Sequence, residues 1–225
     1  MKRNLLLLCL AAFSAAPMVA FADENPPLFE DGTYFEFAAG AAHLNDRSAN
    51  IAGQTVNLES DNGPAYLVAG GYDFGHSWPL GGIRVELALS YRNNDVAAAD
   101  LDAAPVPGAS GSTETWSLTY NVINDFRPGT AFDPYIGVGI GYGWATMDYG
   151  QDVGGVYTQL VDDDDGGLAF AGLLGFRSRL AEHLSLDVRL RFFGIPGSQV
   201  RAKVGEPVDA TLNSQSIMVG LIYTL

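Results

Sequence analysis

Apolar and polar residues alternate with a period of two through long stretches of this sequence. At 83–92, the odd positions carry Ile, Val, Leu, Leu and Tyr, while the even positions carry Arg, Glu, Ala, Ser and Arg. The same alternation recurs at 184–192 and at 217–225. Because successive side chains of a strand point to opposite faces, this pattern predicts strands with one apolar and one polar face.

Eight such strands are predicted along the chain, and no segment has a convincing helical periodicity. Each strand has about ten residues or more, the length that crosses a bilayer at a tilt of about 45°. The predicted strands are near 32–44, 64–75, 81–93, 113–125, 133–147, 166–179, 183–195 and 214–225.

The connections between the strands alternate in length. Three short connections interleave with four long ones that are rich in Gly, Asp, Asn and Ser. Outer-membrane barrels have short periplasmic turns and longer extracellular loops. We therefore predict an all-β, eight-stranded, antiparallel up-and-down transmembrane β-barrel with both termini in the periplasm. The short connections are 75–80, 126–132 and 180–182, and the long ones are 45–62, 94–112, 148–165 and 196–213.

The first residues are typical of a secretory signal peptide. Lys2 and Arg3 give a positive start, a largely apolar stretch follows, and 20–22 reads Ala-Phe-Ala, a small-x-small cleavage site. The apolar stretch is shorter than the about 20 residues of a membrane helix, which argues against the alternative of a retained anchor. We expect a signal peptide at 1–22 and the barrel at 23–225.

Charge and cysteine content narrow the classes of function. Removing Lys2 and Arg3 from the 12 basic residues leaves 10 against 26 acidic ones, a formal charge of −16 for the mature chain. Such a chain is not expected to bind nucleic acid, because the electrostatic contribution has the wrong sign. The only cysteine, Cys9, lies in the predicted signal peptide, so disulfides and thiolate metal sites are excluded from the mature chain.

The orientation of the two strand faces distinguishes a membrane barrel from a soluble barrel with an apolar cavity. In a membrane barrel the charged faces point inward, and arginine–carboxylate pairs would plug the interior. A glycine column at 137–143 on strand five is expected to leave room there for the arginines of strand seven. The predicted interior charge network comprises Glu36, Asp73, Arg84, Glu86, Arg92, Arg177, Asp187, Arg189 and Arg191.

Aromatic residues on the apolar faces cluster near the strand ends and favour the membrane orientation. Two aromatic girdles are expected where a barrel meets the two membrane interfaces. One predicted girdle comprises Tyr91, Trp116, Tyr142, Trp144, Phe170 and Phe192, and the other comprises Phe35, Phe74, Phe176 and Tyr223.

Two segments carry a resemblance to a known family. The segments 133–141 (DPYIGVGIG) and 184–193 (LSLDVRLRFF) resemble strands five and seven of small outer-membrane barrels of the opacity-protein type, and 121–126 is similar as well. This superfamily also includes the transmembrane domain of outer-membrane protein A and several surface antigens. The resemblance implies an eight-stranded barrel with variable surface loops and roles in envelope integrity, adhesion, immune exposure or slight pore activity.

Two positions depart from that family pattern. Arg189 stands where the family more often has glycine, so the interior packing is expected to differ. Leu225 stands where a terminal aromatic residue is usual, although the preceding residues keep the alternation. We expect the barrel-assembly machinery to recognise this C-terminal strand.

Candidate catalytic groups are sparse. His183, Ser185 and Asp187 follow one strand face in the order expected of a base, a nucleophile and an orienting carboxylate. Side chains two residues apart on a strand are about 6.6 Å apart along it, which makes direct hydrogen bonding awkward. His43 and His76 are expected at the surface. We therefore expect no enzymatic activity and no cofactor.

The function favoured by the sequence is that of a non-enzymatic outer-membrane barrel with a structural or surface-interaction role. Loop 148–165 has six acidic and no basic residues, and is expected to be a flexible projection. Its run Asp162–Asp165 is expected to be solvated rather than to bind calcium or magnesium. Expected partners are outer-membrane lipid and lipopolysaccharide. The alternatives are a narrow porin-like channel for small solutes and, third, a lipid-modifying enzyme.

Overall fold

The computed structural model describes most of the chain beyond the predicted signal peptide. Residues 1–22 and His76 lie outside the described residues. Within the described residues, no helix is long and apolar enough to cross a membrane. The described residues are 31–45, 47–51, 54–75, 81–101, 104–127, 132–153, 156–197, 199–200, 208–209 and 212–225.

Eight long strands form a closed antiparallel ring. Each strand pairs with its neighbours in the chain, and the first strand also pairs with the last. The predicted eight-stranded, antiparallel up-and-down barrel is therefore confirmed. The strands are β1 (Gly32–Leu44), β2 (Asn62–Asp73), β3 (Gly82–Leu101), β4 (Ala109–Asp125), β5 (Phe132–Val153), β6 (Val156–Ala181), β7 (Leu184–Ile195) and β8 (Leu212–Thr224).

The two ends of the barrel differ. The end that contains the start of β1 and the end of β8 also contains the connections β2–β3, β4–β5 and β6–β7, and we call it the turn end. The other four connections lie at the opposite end, which we call the loop end.

Several strands continue beyond the predicted boundaries at the loop end. The pairing of β5 with β6 extends to Val153 opposite Val156, and that of β3 with β4 extends to Asp95 opposite Ser112. The prediction of loops over 94–112 and 148–165 is therefore wrong for most of those residues. A strand outside the lipid needs no apolar face, so the backbone ladder continues where the alternation of side chains fades.

Short strands add further pairing at the loop end. Arg47–Ile51 pairs with Gln54–Ser60, which in turn pairs with the far part of β3. Ala104–Pro105 folds back onto β3 as well, and Gln199–Val200 pairs with Val208–Asp209. The described part of the loop end is thus built largely from extended, hydrogen-bonded backbone.

Candidate functional site

The barrel interior is lined by alternate side chains of the eight strands. On β3, the side chains of Arg84 and Glu86 are at most 1% exposed, whereas Leu87 and Leu89 on the opposite face are 53% and 40% exposed. Every residue of the predicted charge network is buried, with an exposed fraction of 2% or less. Charged groups therefore line the inside of the ring and apolar groups cover its outside.

Five charged residues form what we call the turn-end network. The Nε and Nη2 atoms of Arg84 donate to the two carboxylate oxygens of Asp125 at 2.7 and 2.9 Å. Arg127 and Arg177 donate to different oxygens of Asp73 at 2.6 and 3.0 Å. Bidentate and shared pairs of this kind are stronger than neutral hydrogen bonds and fix the strands that carry them.

A second cluster, the central network, surrounds Arg189. Arg189 Nη2 lies 2.7 Å from Glu36 Oε2, and Nη1 lies 2.8 Å from Glu86 Oε1. Its Nε atom lies 3.3 Å from Asp187 Oδ2. One arginine thus faces three buried carboxylates from three strands. The other donors to these carboxylates are Tyr34 and Asn121, which donate to Glu86, and Tyr135, which donates to Asp187.

Arg92 and Arg191, which we call the arginine pair, have a different environment. Arg92 Nη1 donates to Ser214 Oγ, and Arg191 donates to the hydroxyls of Ser90, Ser117 and Thr119. Neither forms an ion pair with a carboxylate among the described residues. The expected ladder of arginine–carboxylate pairs is therefore wrong for these two residues, while Arg84, Arg177 and Arg189 do have carboxylate partners.

The space beside the inward-facing glycines of β5 is filled by side chains other than the predicted arginines. Asn121 and Ala171 occupy the space beside Gly139, from the two flanking strands. Phe193 and Ile195 of β7 crowd Gly143. The expectation that the arginines of strand seven use this room is wrong, because Arg189 reaches across to Glu36 and Glu86 instead.

An apolar cluster, which we call the apolar plug, fills the interior toward the loop end. Its members are buried, with exposed fractions of 6% or less, and the half-buried side chains of Leu58 and Val96 pack against it. The plug and the two charge networks together fill the interior at several levels, as expected for a ring of eight strands. The plug comprises Leu44, Ala145, Met147, Tyr149, Ala169, Phe193, Ile195 and Leu212.

Aromatic residues form a continuous row on the outside toward the loop end. Strand register places Tyr66 opposite Tyr91, Tyr91 opposite Trp116, and Trp116 opposite Trp144. The ring centroids of Tyr91 and Trp116 are 4.8 Å apart, and those of Tyr66 and Tyr91 are 6.4 Å apart. The other residues predicted for this girdle, Tyr142, Phe170 and Phe192, are also exposed on the outer face.

A second outer group lies at the turn end. Phe35 is opposite Tyr223 in the pairing of β1 with β8, and Phe176 is opposite Pro134. Phe74 packs edge-on against Tyr72, with ring centroids 4.9 Å apart. The structure thus places the predicted aromatic residues in two outer groups, one toward each end of the barrel.

The candidate catalytic trio does not assemble. His183 is exposed in the turn before β7 and its ring lies 6.1 Å from that of Tyr223. Ser185 and Asp187 are buried inside the barrel, where Asp187 binds Tyr135 and Arg189. His43 is exposed, as the alternation of β1 predicts.

The acidic run Asp162–Asp165 lies on β6, paired with 145–148 of β5. In the part of the chain that the structure describes, no group of three or more His, Cys, Asp or Glu side chains is arranged to hold a metal ion. Consecutive positions of a strand alternate between its two faces, so a run on a strand does not converge on one ion.

Sequence reasoning missed several interior and girdle residues. Asp125 and Asp133 are buried near the turn end and Arg127 is partly buried there, and the alternation of β4 already placed Asp125 on the inner face. Arg127 fell in the predicted short connection 126–132, and Asp125 and Asp133 are the end residues of the predicted strands on either side of it. Tyr66, Tyr72 and Phe132 were missed on the outer face.

Comparison with known proteins gives a family match. The profile of the outer membrane protein beta-barrel domain family matches residues 5–224. Curated protein sequences give no significant match.

Solved structures show the same fold. The chain is similar to Neisserial surface protein A, with 16% identity over 86% of this chain and 97% of the other and a TM-score of 0.53. It is also similar to the outer membrane protein OprG of Pseudomonas aeruginosa. The identity is 17% over 87% of this chain and 97% of OprG, and the TM-score is 0.56. A major outer membrane protein of Thermus thermophilus has 12% identity over 86% of this chain and 99% of its own chain, with a TM-score of 0.51.

Proposed function

Because this chain belongs to the outer membrane protein beta-barrel domain family, we propose that it is a closed, non-enzymatic barrel with a structural and surface-interaction role. Its neighbours in structure are bacterial outer-membrane proteins, which supports an outer-membrane location. The filled interior and the extended loop end support the proposed role.

The filled interior is the observation that carries the proposal. Asp73 and Arg189 each bind partners from other strands, so the two networks cross the interior rather than line its wall. Toward the loop end, Phe193 and Ile195 belong to the apolar plug, in which buried side chains from five strands pack together. A water-filled pore requires an open polar interior, so this packing favours a closed barrel.

The loop end is the part of the barrel that we propose meets the exterior. The paired extension of β5 and β6 carries six acidic and no basic residues over 148–165. An acidic projection of this kind repels nucleic acid and other polyanions and attracts cationic partners. The turn end, with both termini, would then face the periplasm.

Export and assembly follow from the two ends of the sequence. We propose that 1–22 directs secretion and is removed. The last strand, β8, alternates between inward and outward side chains up to Thr224, and we propose that the barrel-assembly machinery recognises it. The outer face of the barrel would contact outer-membrane lipid and lipopolysaccharide through its two aromatic girdles.

Planar-bilayer recording tests the closed barrel against the narrow channel. Refolded wild-type protein is expected to give no discrete conductance steps in potassium chloride. A variant with Phe193→Ala and Ile195→Ala, which shortens two side chains of the apolar plug, is expected to conduct more than wild type. A matched control with Leu87→Ala and Leu89→Ala shortens outer-face side chains and should stay silent. Steady single-channel steps from wild type would favour the porin-like alternative.

A further inference from the structure

Opposite charges occupy different levels of the barrel interior. The turn-end network has three arginines against two aspartates, with the buried carboxyl of Asp133 nearby. The central network has one arginine, Arg189, against three carboxylates. The arginine pair, Arg92 and Arg191, has no carboxylate in contact among the described residues. Positive charge is therefore concentrated at the arginine pair.

The arginine pair lies against one aromatic ring and is hydrogen-bonded to hydroxyl groups. The guanidinium carbons of Arg92 and Arg191 lie 3.9 and 5.2 Å from the centroid of the same ring, that of Phe193. Both arginines are buried, with exposed fractions of 2% and 1%. Their acceptors on the protein are the uncharged hydroxyls of Ser90, Ser117, Thr119 and Ser214.

Several donors of the arginine pair have no acceptor on the described part of the protein. These donors are the Nε and Nη2 groups of Arg92 and the Nε group of Arg191. A guanidinium stays charged, so it cannot relieve its burial by losing a proton. Two like charges that are buried without a counter-charge destabilise the folded state strongly.

We propose that the arginine pair binds one small monovalent anion, of the size of chloride or bromide, inside the barrel. The unpaired N–H groups of Arg92 and Arg191 donate to this anion, and nearby serine and threonine hydroxyls complete its shell. The anion supplies the counter-charge that the other buried arginines obtain from carboxylates.

The surroundings restrict this site to a small anion. An eight-stranded interior is just wide enough to be filled by side chains. The apolar plug, which includes Phe193 and Ile195, packs on the side toward the loop end. The central network, with Glu36, Glu86 and Asp187, repels an anion on the other side. We therefore expect the site to exclude a bulky oxyanion.

Equilibrium unfolding in urea tests the proposal through ligand linkage. The protein is refolded in detergent and unfolded in sodium bromide and in sodium gluconate at matched ionic strength. Since only the folded state holds the anion, the unfolded-to-folded ratio should fall by up to tenfold for each tenfold rise in bromide above the dissociation constant. Gluconate, which is too large for the site, should give no such dependence.

Two variants identify the arginines responsible. The double variant Arg92→Met and Arg191→Met should lose the difference between bromide and gluconate. The control Arg179→Met removes an arginine that hydrogen-bonds the backbone carbonyls of Ala181 and Glu182 at the turn end, and it should keep the difference. Equal stability of wild type in both salts, or a bromide effect that persists in the double variant, would overturn the proposal.

Diffraction tests the site on the wild-type protein, so the result does not depend on whether a variant folds. Wild-type crystals grown in sodium bromide and measured at the bromine absorption edge should show an anomalous peak within contact distance of both guanidinium groups. Anomalous data with no peak beside Arg92 and Arg191 would contradict an anion site there.

Discussion

Arg189 links three strands through one side chain. It binds Glu36 on β1, Glu86 on β3 and Asp187 on its own strand, β7, at distances of 2.7 to 3.3 Å. The buried hydroxyls of Tyr34 and Tyr135 donate to two of the same carboxylates. Because this network is fully buried, removal of any one charged group leaves its partner buried without a counter-charge, which lowers the stability of the folded state.

Replacement of Arg189 by methionine is expected to destabilise the barrel strongly. The variant leaves three carboxylates buried side by side, and loss of one member of a buried pair costs about 3–5 kcal/mol. Urea unfolding followed by tryptophan fluorescence measures the change in the free energy of unfolding. An additional Glu36→Gln change should recover part of the loss, because one stranded charge is then removed.

The control for this prediction is again Arg179→Met. Arg179 donates to backbone carbonyls in the exposed part of the turn end, so the expected change is within about 0.5 kcal/mol. If Arg189→Met unfolded at the same urea concentration as Arg179→Met, the central network would contribute nothing net to stability.

At the residue scale, the sequence identified which side chains turn inward but not which ones meet. Alternation alone placed all nine predicted charges inside the ring, because it depends only on parity along each strand. Which charged side chains pair depends on how far each one extends across the barrel, from β7 to β1 or β3. It also depends on the stagger of the strands. For that reason the isolation of Arg92 and Arg191 from carboxylates was not visible in the sequence.

The elements themselves were largely predictable where they face lipid. All eight strands were anticipated, and the predicted bounds 32–44 and 183–195 are close to Gly32–Leu44 and Leu184–Ile195. Prediction failed beyond the loop-end girdle, where β5 and β6 continue to Val153 and Val156. Outside lipid both faces of a strand are hydrated, so the sequence loses its period while the backbone pairing continues.

Shortening of the β5–β6 extension should leave the barrel intact. Tyr149 pairs with Val161, so replacement of 150–160 by Asn-Gly joins two paired positions with a two-residue hairpin turn. Electrophoresis of unboiled and boiled samples should show the same heat-dependent mobility shift as wild type. As a control, deletion of Val138 alone turns every later side chain of β5 to the wrong face and should abolish the shift. Loss of the shift in the shortened variant would mean that the extension stabilises the barrel.

At the scale of the whole molecule, the two ends of the barrel differ, and we propose that the loop end faces outward. The closed ring, its polar interior and its apolar outer face agree with the fold expected from the sequence. Orientation cannot be derived from alternation, because a barrel has the same inside and outside whichever way it is inserted. The proposed orientation is based on the lengths of the connections and the position of the termini.

Cysteine labelling can determine the orientation. The only cysteine of the chain is Cys9, in the predicted signal peptide, so single cysteines introduced elsewhere give unambiguous sites. Thr158→Cys, near the tip of the β5–β6 extension, should react with a membrane-impermeant maleimide on intact cells. Glu182→Cys, in the turn before β7, should react only after the outer membrane is permeabilised. The reverse pattern would invert the proposed orientation.

The seam between β1 and β8 has a consequence for the order of biogenesis. Glu36 on β1 reaches Arg189 on β7, beyond β8, so the two meet only when the first and last strands pair. Any sheet that lacks the last strand would present unpaired charges from several strands to hydrocarbon, at a cost of several kcal/mol each. Partial insertion, strand by strand, is therefore disfavoured. The chain should enter the membrane and close its ring in one concerted event, with β8 as the final and decisive segment.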